Sequence, residues 1–217
     1  MEINFLKYLP QGKKPLKKRK NLSDDDRIKT WKLDYYYFDG SREQGYGGYK
    51  YDGRWKNLAK ALIKNYKLNN NSRILDIGCA KGYLLKELKE LLPKSKIYGV
   101  DISEYAISNG HKSIKNNLII ANADSLPFKK NFFDLTISIN SLHNILSLKE
   151  LKQSFKDIKR VSKKNMFITV GTYENKKEKK ILDEWAVLAT TYMSKNSWLK
   201  FFKKVRYNGD YDWFKPR

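Results

Sequence analysis

Cysteine is nearly missing from this chain: Cys79 is the only one in 217 residues. A single thiol excludes an internal disulfide framework, a cysteine-ligated zinc site and the three-cysteine cluster that radical chemistry requires. Long apolar runs are missing too. No stretch approaches the roughly 18–20 residues of a membrane span. The N-terminus, MEINFLKYLPQGKKPLKKRK, has neither the apolar core nor the small-residue cleavage site of a secretory signal. These absences predict a cytoplasmic protein without a membrane span. Acidic residues are scarce, 23 against 45 basic ones, for a net charge of +22. Such an excess attracts polyanions. Its make-up argues for a solvated surface instead, because lysine outnumbers arginine 37 to 8. Lysine recurs along the helical segments at Lys86, Lys89, Lys152, Lys156 and Lys159, whereas base readout favours the arginine fork. A nucleic-acid partner is the disfavoured alternative.

A hydrophobic fraction of 41% over this length suits one globular domain with a real core. Residues 1–30 read as a basic arm, KKPLKKRK followed by the acidic Ser23–Asp26 stretch. It is either a tail that orders on a partner or an arm packed on the domain. Residues 31–55 are crowded with aromatics and glycines and follow no helical or strand period, which predicts a structured aromatic cap. Residues 56–172 carry the main pattern. A helix ends near Tyr66, and strands are predicted at Ile74–Ile77, Ile97–Val100, Leu118–Ala121, Phe133–Ile139 and Met166–Val170, with helices between them. Ser103 and the Ser147-x-x-Glu150 pair read as helix N-caps. Residues 173–217 supply further helices and a last short strand, Asp210–Phe214. Alternation of this kind predicts an α/β fold, a doubly wound and mostly parallel sheet in three layers.

The run RILDIGCAKG, Arg73 to Gly82, combines a strand, an acidic residue, a small-residue turn and a helix start. In a doubly wound sheet, ligands bind at the carboxyl ends of strands near the switch point. Asp76, Asp101 and Asp124 fall at or just beyond three such ends. Gly78 and Gly82 let backbone approach a ligand that a Cβ would block. Asp101 is placed to accept from two ribose hydroxyls, and Asp124 to receive an exocyclic adenine amine. A nicotinamide cofactor is disfavoured. The glycines read G-x-x-x-G rather than G-x-G-x-x-G, and the one Tyr-x-x-x-Lys, Tyr46 to Lys50, precedes the loop.

The segments LDIGCAKG, GVDIS, ANADSLPF and FDLTISINSLHNI resemble successive motifs of the class I S-adenosylmethionine-dependent methyltransferases. The resemblance covers about residues 55–172 and is nearest to the small-molecule, methyltransferase type 11-like group. It implies a Rossmann-like sheet with S-adenosyl-L-methionine as cofactor. Asp76, Gly78, Cys79, Ala80 and Gly82 would surround the methionine half, Asp101 the ribose, Ile102 the adenine face, and Ala123, Asp124 and Ser125 the adenine edge. Asn140 would line the sulfonium side. Ala80 stands where many members have glycine, so closure of the loop is expected to need a negative φ there. The family sheet usually finishes with an antiparallel pair, and this chain has room for one clear strand, so the sheet is expected to be a strand short.

The acceptor is constrained by absences. No Asn-Pro-Pro-Tyr follows the fourth strand, which disfavours transfer to an exocyclic base amine or a glutamine amide. Cys79 belongs to the cofactor loop, which excludes a cysteine-nucleophile cytosine methylase. His143, after the fourth strand, is the candidate general base; the alternative is a histidine that holds the loop. The segment GYGGYKYDGRW reads as a lid, with Tyr49 or Arg54 on the cofactor carboxylate and Asp52 shaping the acceptor pocket. Its alternative is a cover in which Asp52 and Arg54 pair locally. These readings predict direct methyl displacement onto a small molecule such as a sugar or nucleotide-sugar hydroxyl or amine. An RNA-modifying enzyme using the basic arm is the alternative.

Overall fold

A computed structural model describes residues 1–10 and 23–215. In chain order the elements are α1 (Asp24–Trp31), α2 (Tyr35–Phe38), α3 (Lys56–Tyr66), β1 (Arg73–Ile77), α4 (Tyr83–Leu91), β2 (Lys96–Asp101), α5 (Glu104–Ser108), β3 (Leu118–Ile120), β4 (Phe133–Ile139), α6 (Leu148–Val161), β5 (Ser162–Tyr173), α7 (Lys176–Trp185), β6 (Met193–Ser194), α8 (Lys195–Lys204) and β7 (Asp210–Phe214). The strands form one seven-stranded sheet in the order β3-β2-β1-β4-β5, with β6 and β7 both paired to β5. The order reverses between β1 and β4, which puts the switch point beside the glycine loop.

Period-two alternation divides the sheet residues between two layers. Ile74, Ile97, Leu135, Ile137 and Phe167 bury against Leu58 and Leu62 of α3 and Leu84, Leu85 and Leu88 of α4. Leu75, Ile77, Phe133, Ile168 and Val170 bury against Leu151, Phe155 and Ile158 of α6 and Trp198 and Phe202 of α8. The capping signals hold: Ser103 Oγ accepts from Ala106 N–H, and Ser147 Oγ accepts from Glu150 N–H.

The far edge departs from the expected pattern. The strand at Asp210–Phe214 lies parallel to β5, not antiparallel, in register from Phe167↔Asp210 to Gly171↔Phe214. The expected shortfall of one strand is also corrected: β6 brings the sheet to seven strands, and the start of the chain adds a bridge beyond β7. Glu2 bridges Tyr211 in parallel, Ile3 N–H donates to Tyr211 O at 2.9 Å, and Tyr211 N–H donates to Met1 O at 2.9 Å. Phe5 follows into the core, meeting Phe167 edge to face at 4.9 Å. The start of the region read as a basic arm is therefore part of the sheet edge, and its end is α1, whose N-cap is Ser23. The KKPLKKRK run lies outside the described residues.

Candidate active site

Two lobes of one cleft meet over the carboxyl ends of β1 and β4. The first, of about 440 Å³, is lined by Ile77, Gly78, Ala80, Asp101, Ile102, Asn122, Ala123 and Asn140, under Trp31 and Leu188. The second, of about 480 Å³, is lined by Tyr49, Arg54, Asp76, Cys79, His143 and Trp185 among others. Gly78, Ala80 and Asn140 line both. These sizes fall within the usual range for small-ligand sites.

The glycine loop is held by backbone and by Asp101. Gly78 and Cys79 N–H donate to Val100 O at 2.8 and 3.1 Å, Ala80 N–H donates to Asp101 Oδ2 at 2.8 Å, and Ser103 N–H donates to Asp101 Oδ1 at 2.9 Å. Gly78 has φ +73°, and a Cβ there would lie 2.0 Å from Ser141 Oγ. Only glycine fits so close to the loop after β4. Ala80 corrects an expectation. Its φ is +49°, left-handed rather than negative, so the loop closes with an alanine in a conformation that costs an L-residue roughly 1–2 kcal/mol. Its methyl is buried among Phe38 and Ala106. Asn140, also left-handed at φ +53°, is fixed by Thr169, whose Oγ1 accepts from its backbone N–H and donates to its Oδ1.

Burial sets the electrostatics. Asp76 is buried, its carboxyl accepts no hydrogen bond from any described residue, and its pKa is pushed up to about 7 by desolvation and then by the charge of Asp101. Asp101 is raised as well by burial, partly offset by its backbone donors. Burial also pushes Cys79 and Tyr49 well above their ordinary values.

Four expected site residues line neither lobe. Gly82 lines neither lobe; it makes room for α4 to pack, since a Cβ there would lie 2.4 Å from Ile114 Cδ1. Asp124 and Ser125 also lie outside both lobes. The next residue, Leu126, enters the core and donates its N–H to Asp157 Oδ2 at 2.6 Å, drawing the chain toward α6 just after Ala123. Asp52 is outside the lobes too and is engaged by Arg54, whose Nε lies 2.9 and 2.8 Å from its two oxygens. Those bonds hold the Asp52 carboxyl below its usual range, which leaves it a poor base. Arg54 itself lines the second lobe.

His143 reaches the second lobe but not as a free base. Its ring is buried, and Nδ1 accepts from Gly171 N–H at 3.1 Å. That bond assigns the proton of the neutral ring to Nε2. Burial lowers the pKa to about 4. The ring packs over Gly171, whose added Cβ would sit 3.6 Å from it.

The sequence reading missed what fastens the cap. Lys81, inside the glycine loop, is buried and donates to Asp39 Oδ1 and Oδ2 at 2.8 and 2.6 Å. Asp39 also accepts from Tyr105 Oη at 2.7 Å and Tyr49 N–H at 3.1 Å. Tyr49 stacks on Tyr83 at 4.9 Å, and its carbonyl accepts from Lys81 Nζ and Tyr83 Oη. At the opposite rim, the Trp31 indole N–H donates to Val187 O at 3.2 Å. The cleft is thus roofed by the N-terminal cap on one side and the segment after α7 on the other. The FDG sequence at Phe38–Gly40 was the available signal, but pairing Asp39 with Lys81 needs the fold.

A family model described as a methyltransferase domain matches residues 68–209. The chain belongs to this methyltransferase family. The family implies S-adenosyl-L-methionine as the cofactor. Asp101 at the end of β2 and the exposed apolar Ile102 beside it suit such a nucleoside. Among curated proteins, a malonyl-[acyl-carrier protein] O-methyltransferase from Legionella pneumophila is 35% identical over 106 residues, 46% of this chain and 36% of that protein. The mitochondrial arginine-hydroxylase NDUFAF5 of Mus musculus is 44% identical over 71 residues, 32% of this chain and 20% of that protein. The chain therefore spans well under half the length of these relatives. A solved S-adenosylmethionine-dependent methyltransferase from Aquifex aeolicus shares the fold with TM-score 0.52 and 18% identity, covering 82% of this chain and 87% of that one. No helix among the described residues is long and apolar enough to cross a membrane.

Proposed function

We propose that this protein transfers a methyl group from S-adenosylmethionine to a small molecule by direct displacement. The first lobe takes the nucleoside: Asp101 receives the ribose hydroxyls, and Ile102, Asn122 and Ala123 bracket the adenine. Asp76 takes the ammonium of the methionine end, where its buried carboxylate gains a counter-charge. The second lobe then holds the acceptor in line with the sulfonium, and positioning of this kind can contribute on the order of 7–11 kcal/mol.

The observation that carries the small-molecule reading is the double roof. Trp31 is hydrogen-bonded to Val187, and Lys81 is paired with Asp39, so cap and C-terminal segment border the cleft on two sides. A cleft narrowed in this way suits a metabolite. The likeness to an arginine hydroxylase makes the reaction itself worth testing, since a cofactor loop alone does not fix the chemistry.

The test uses donor carrying a tritiated methyl group, offered with a low-molecular-weight metabolite extract and, separately, with total RNA. Label in a metabolite product, with S-adenosylhomocysteine released, is expected. Label in RNA overturns the small-molecule reading. No label in either, together with no calorimetric binding of S-adenosylhomocysteine, overturns the methyltransferase reading.

A further inference from the structure

The second lobe is poor in groups that could take a proton from an acceptor. His143 already uses Nδ1 as an acceptor from Gly171 N–H, and its Nε2 carries the proton. Burial holds the Cys79 thiol and the Tyr49 hydroxyl well above their ordinary values and so protonated, and Asp52 lies outside the lobe in the grip of Arg54. Asp76 is the remaining carboxylate among the described residues of this lobe, and the reading above gives it to the cofactor ammonium. A hydroxyl acceptor would have to shed its proton without help.

Cationic groups, by contrast, are present. Arg42 and Arg54 both line the lobe. The charge of Arg54 is met by Asp52 at 2.6 Å. Arg42 Nη1 donates to the neutral Gly45 carbonyl at 2.6 Å, and no carboxylate of a described residue pairs with its guanidinium. Trp55, Trp185 and Phe214 complete the wall, with Trp185 and Phe214 in ring contact at 4.8 Å. One unneutralised guanidinium beside aromatic surface is a receptor for an organic anion with an apolar body.

We infer that the acceptor is an apolar carboxylic acid, received by Arg42 and methylated on oxygen to its methyl ester. This rests on the methyl-transfer reading above. A carboxylate oxygen attacks the methyl carbon, the carbon–sulfur bond breaks, and its electron pair stays on sulfur. A neutral ester and a neutral thioether result. No proton moves, so the lobe needs no base. An ammonium acceptor would need to lose a proton and would face Arg42 while still charged. A carboxylate is fully ionised at neutral pH and is drawn to both Arg42 and the sulfonium.

The experiment measures binding to protein saturated with S-adenosylhomocysteine, by calorimetry, using phenylacetate and indole-3-acetate. The comparison probes are 2-phenylethanol, 2-phenylethylamine and phenyl phosphate. Saturable binding of an acid, about tenfold or more tighter than the alcohol or amine, is expected, because a charge-assisted bond is at stake. Arg42→Gln, which keeps a donor for the Gly45 carbonyl but removes the charge, is expected to abolish that preference while leaving S-adenosylhomocysteine binding intact. With tritiated donor, the acid is expected to yield a product that releases volatile methanol in alkali. Equal or tighter binding of the alcohol, amine or phosphate, no binding of either acid, or an alkali-stable product overturns the inference. Binding of S-adenosylhomocysteine in the same titrations tells that failure apart from failure of the methyltransferase reading.

Discussion

Lys81 Nζ lies 2.6 Å from Asp39 Oδ2, joining the cofactor loop to the aromatic cap through a pair that is largely buried. The glycine loop and the cap are therefore joined directly. A cap fastened in this way is ordered by the same residues that shape the loop.

Breaking that pair from either side strands a charge. Asp39→Asn is expected to cost about 3 kcal/mol, the low end for a buried pair, because Asp39 keeps some solvent contact. Urea unfolding measures the loss, and limited proteolysis is expected to cut first within 31–55. Burial pulls the Asp39 carboxyl upward, but the bonds from Lys81 and Tyr105 and the Lys81 charge outweigh it and leave the pKa lowered. Its contribution is then complete above the unfolded value near 3.8 and is lost as pH falls through the lower folded value. Cap release in acid, followed by tryptophan fluorescence, is expected to vanish in Asp39→Asn.

His143 gives the protein a second acid-sensitive element. Its pKa falls from 6.5 to about 4 on burial. The unfolded chain binds a proton below pH 6.5 that the folded chain refuses until about pH 4, so stability drops across that window. The drop amounts to roughly 3 kcal/mol in all. His143→Asn is expected to flatten the stability profile between pH 4 and 6.5. Retention of catalytic turnover by this variant would agree with a residue that positions the loop instead of moving a proton.

Asp76 acts in the opposite sense. Its pKa is raised from 3.8 to about 7, so its favourable contribution is complete below about pH 4 and is lost as pH rises through 7. Ligand-free Asp76→Asn is expected to be more stable than wild type at pH 8, and to bind S-adenosylhomocysteine at least about tenfold more weakly. At pH 7, binding to wild type is expected to release a proton, visible as a heat that changes with the ionisation enthalpy of the buffer.

Gly78→Ala faces two obstacles, a left-handed φ and a Cβ lying 2.0 Å from Ser141 Oγ and 2.3 Å from its Cβ. The variant is expected to lose S-adenosylhomocysteine binding and to melt at a lower temperature. Adding Ser141→Gly removes the clash but not the backbone strain. The double variant is expected to recover all but roughly 1–2 kcal/mol of stability.

Much of the fold was legible because the central strands carry their own apolar runs and several helices their own side-chain caps. Phe133–Ile139 and Asp210–Phe214 were bounded to the residue, and the Ser103 and Ser147 caps were read from spacing alone. The cofactor loop was legible for a similar reason, since its chemistry sits in consecutive residues. The first turn of the chain was not. Nothing local in MEINF says that Glu2 bridges β7 or that Phe5 meets Phe167, because edge pairing over some two hundred residues of separation leaves no period in the sequence. α1 was missed because acidic, basic and apolar residues are mixed along it, with Thr30 its one buried residue.

The site divides in the same way. The residue types and spacing from Arg73 to Gly82, with Asp101, pointed by themselves to a small-ligand site at the ends of parallel strands, because backbone conformation and strand polarity are local properties. Which of the expected residues line the lobes was decided only by packing. Leu126 enters the core just after Asp124 and Ser125, Ile114 claims the space at Gly82, and Arg54 engages Asp52. What the cap is fastened to was also decided in three dimensions, by the pairing of Lys81 with Asp39 and by the contact of Trp31 with Val187. Long-range charge pairs and tautomers, such as the one Gly171 imposes on His143, depend on which chains meet, and the meeting is made by the core.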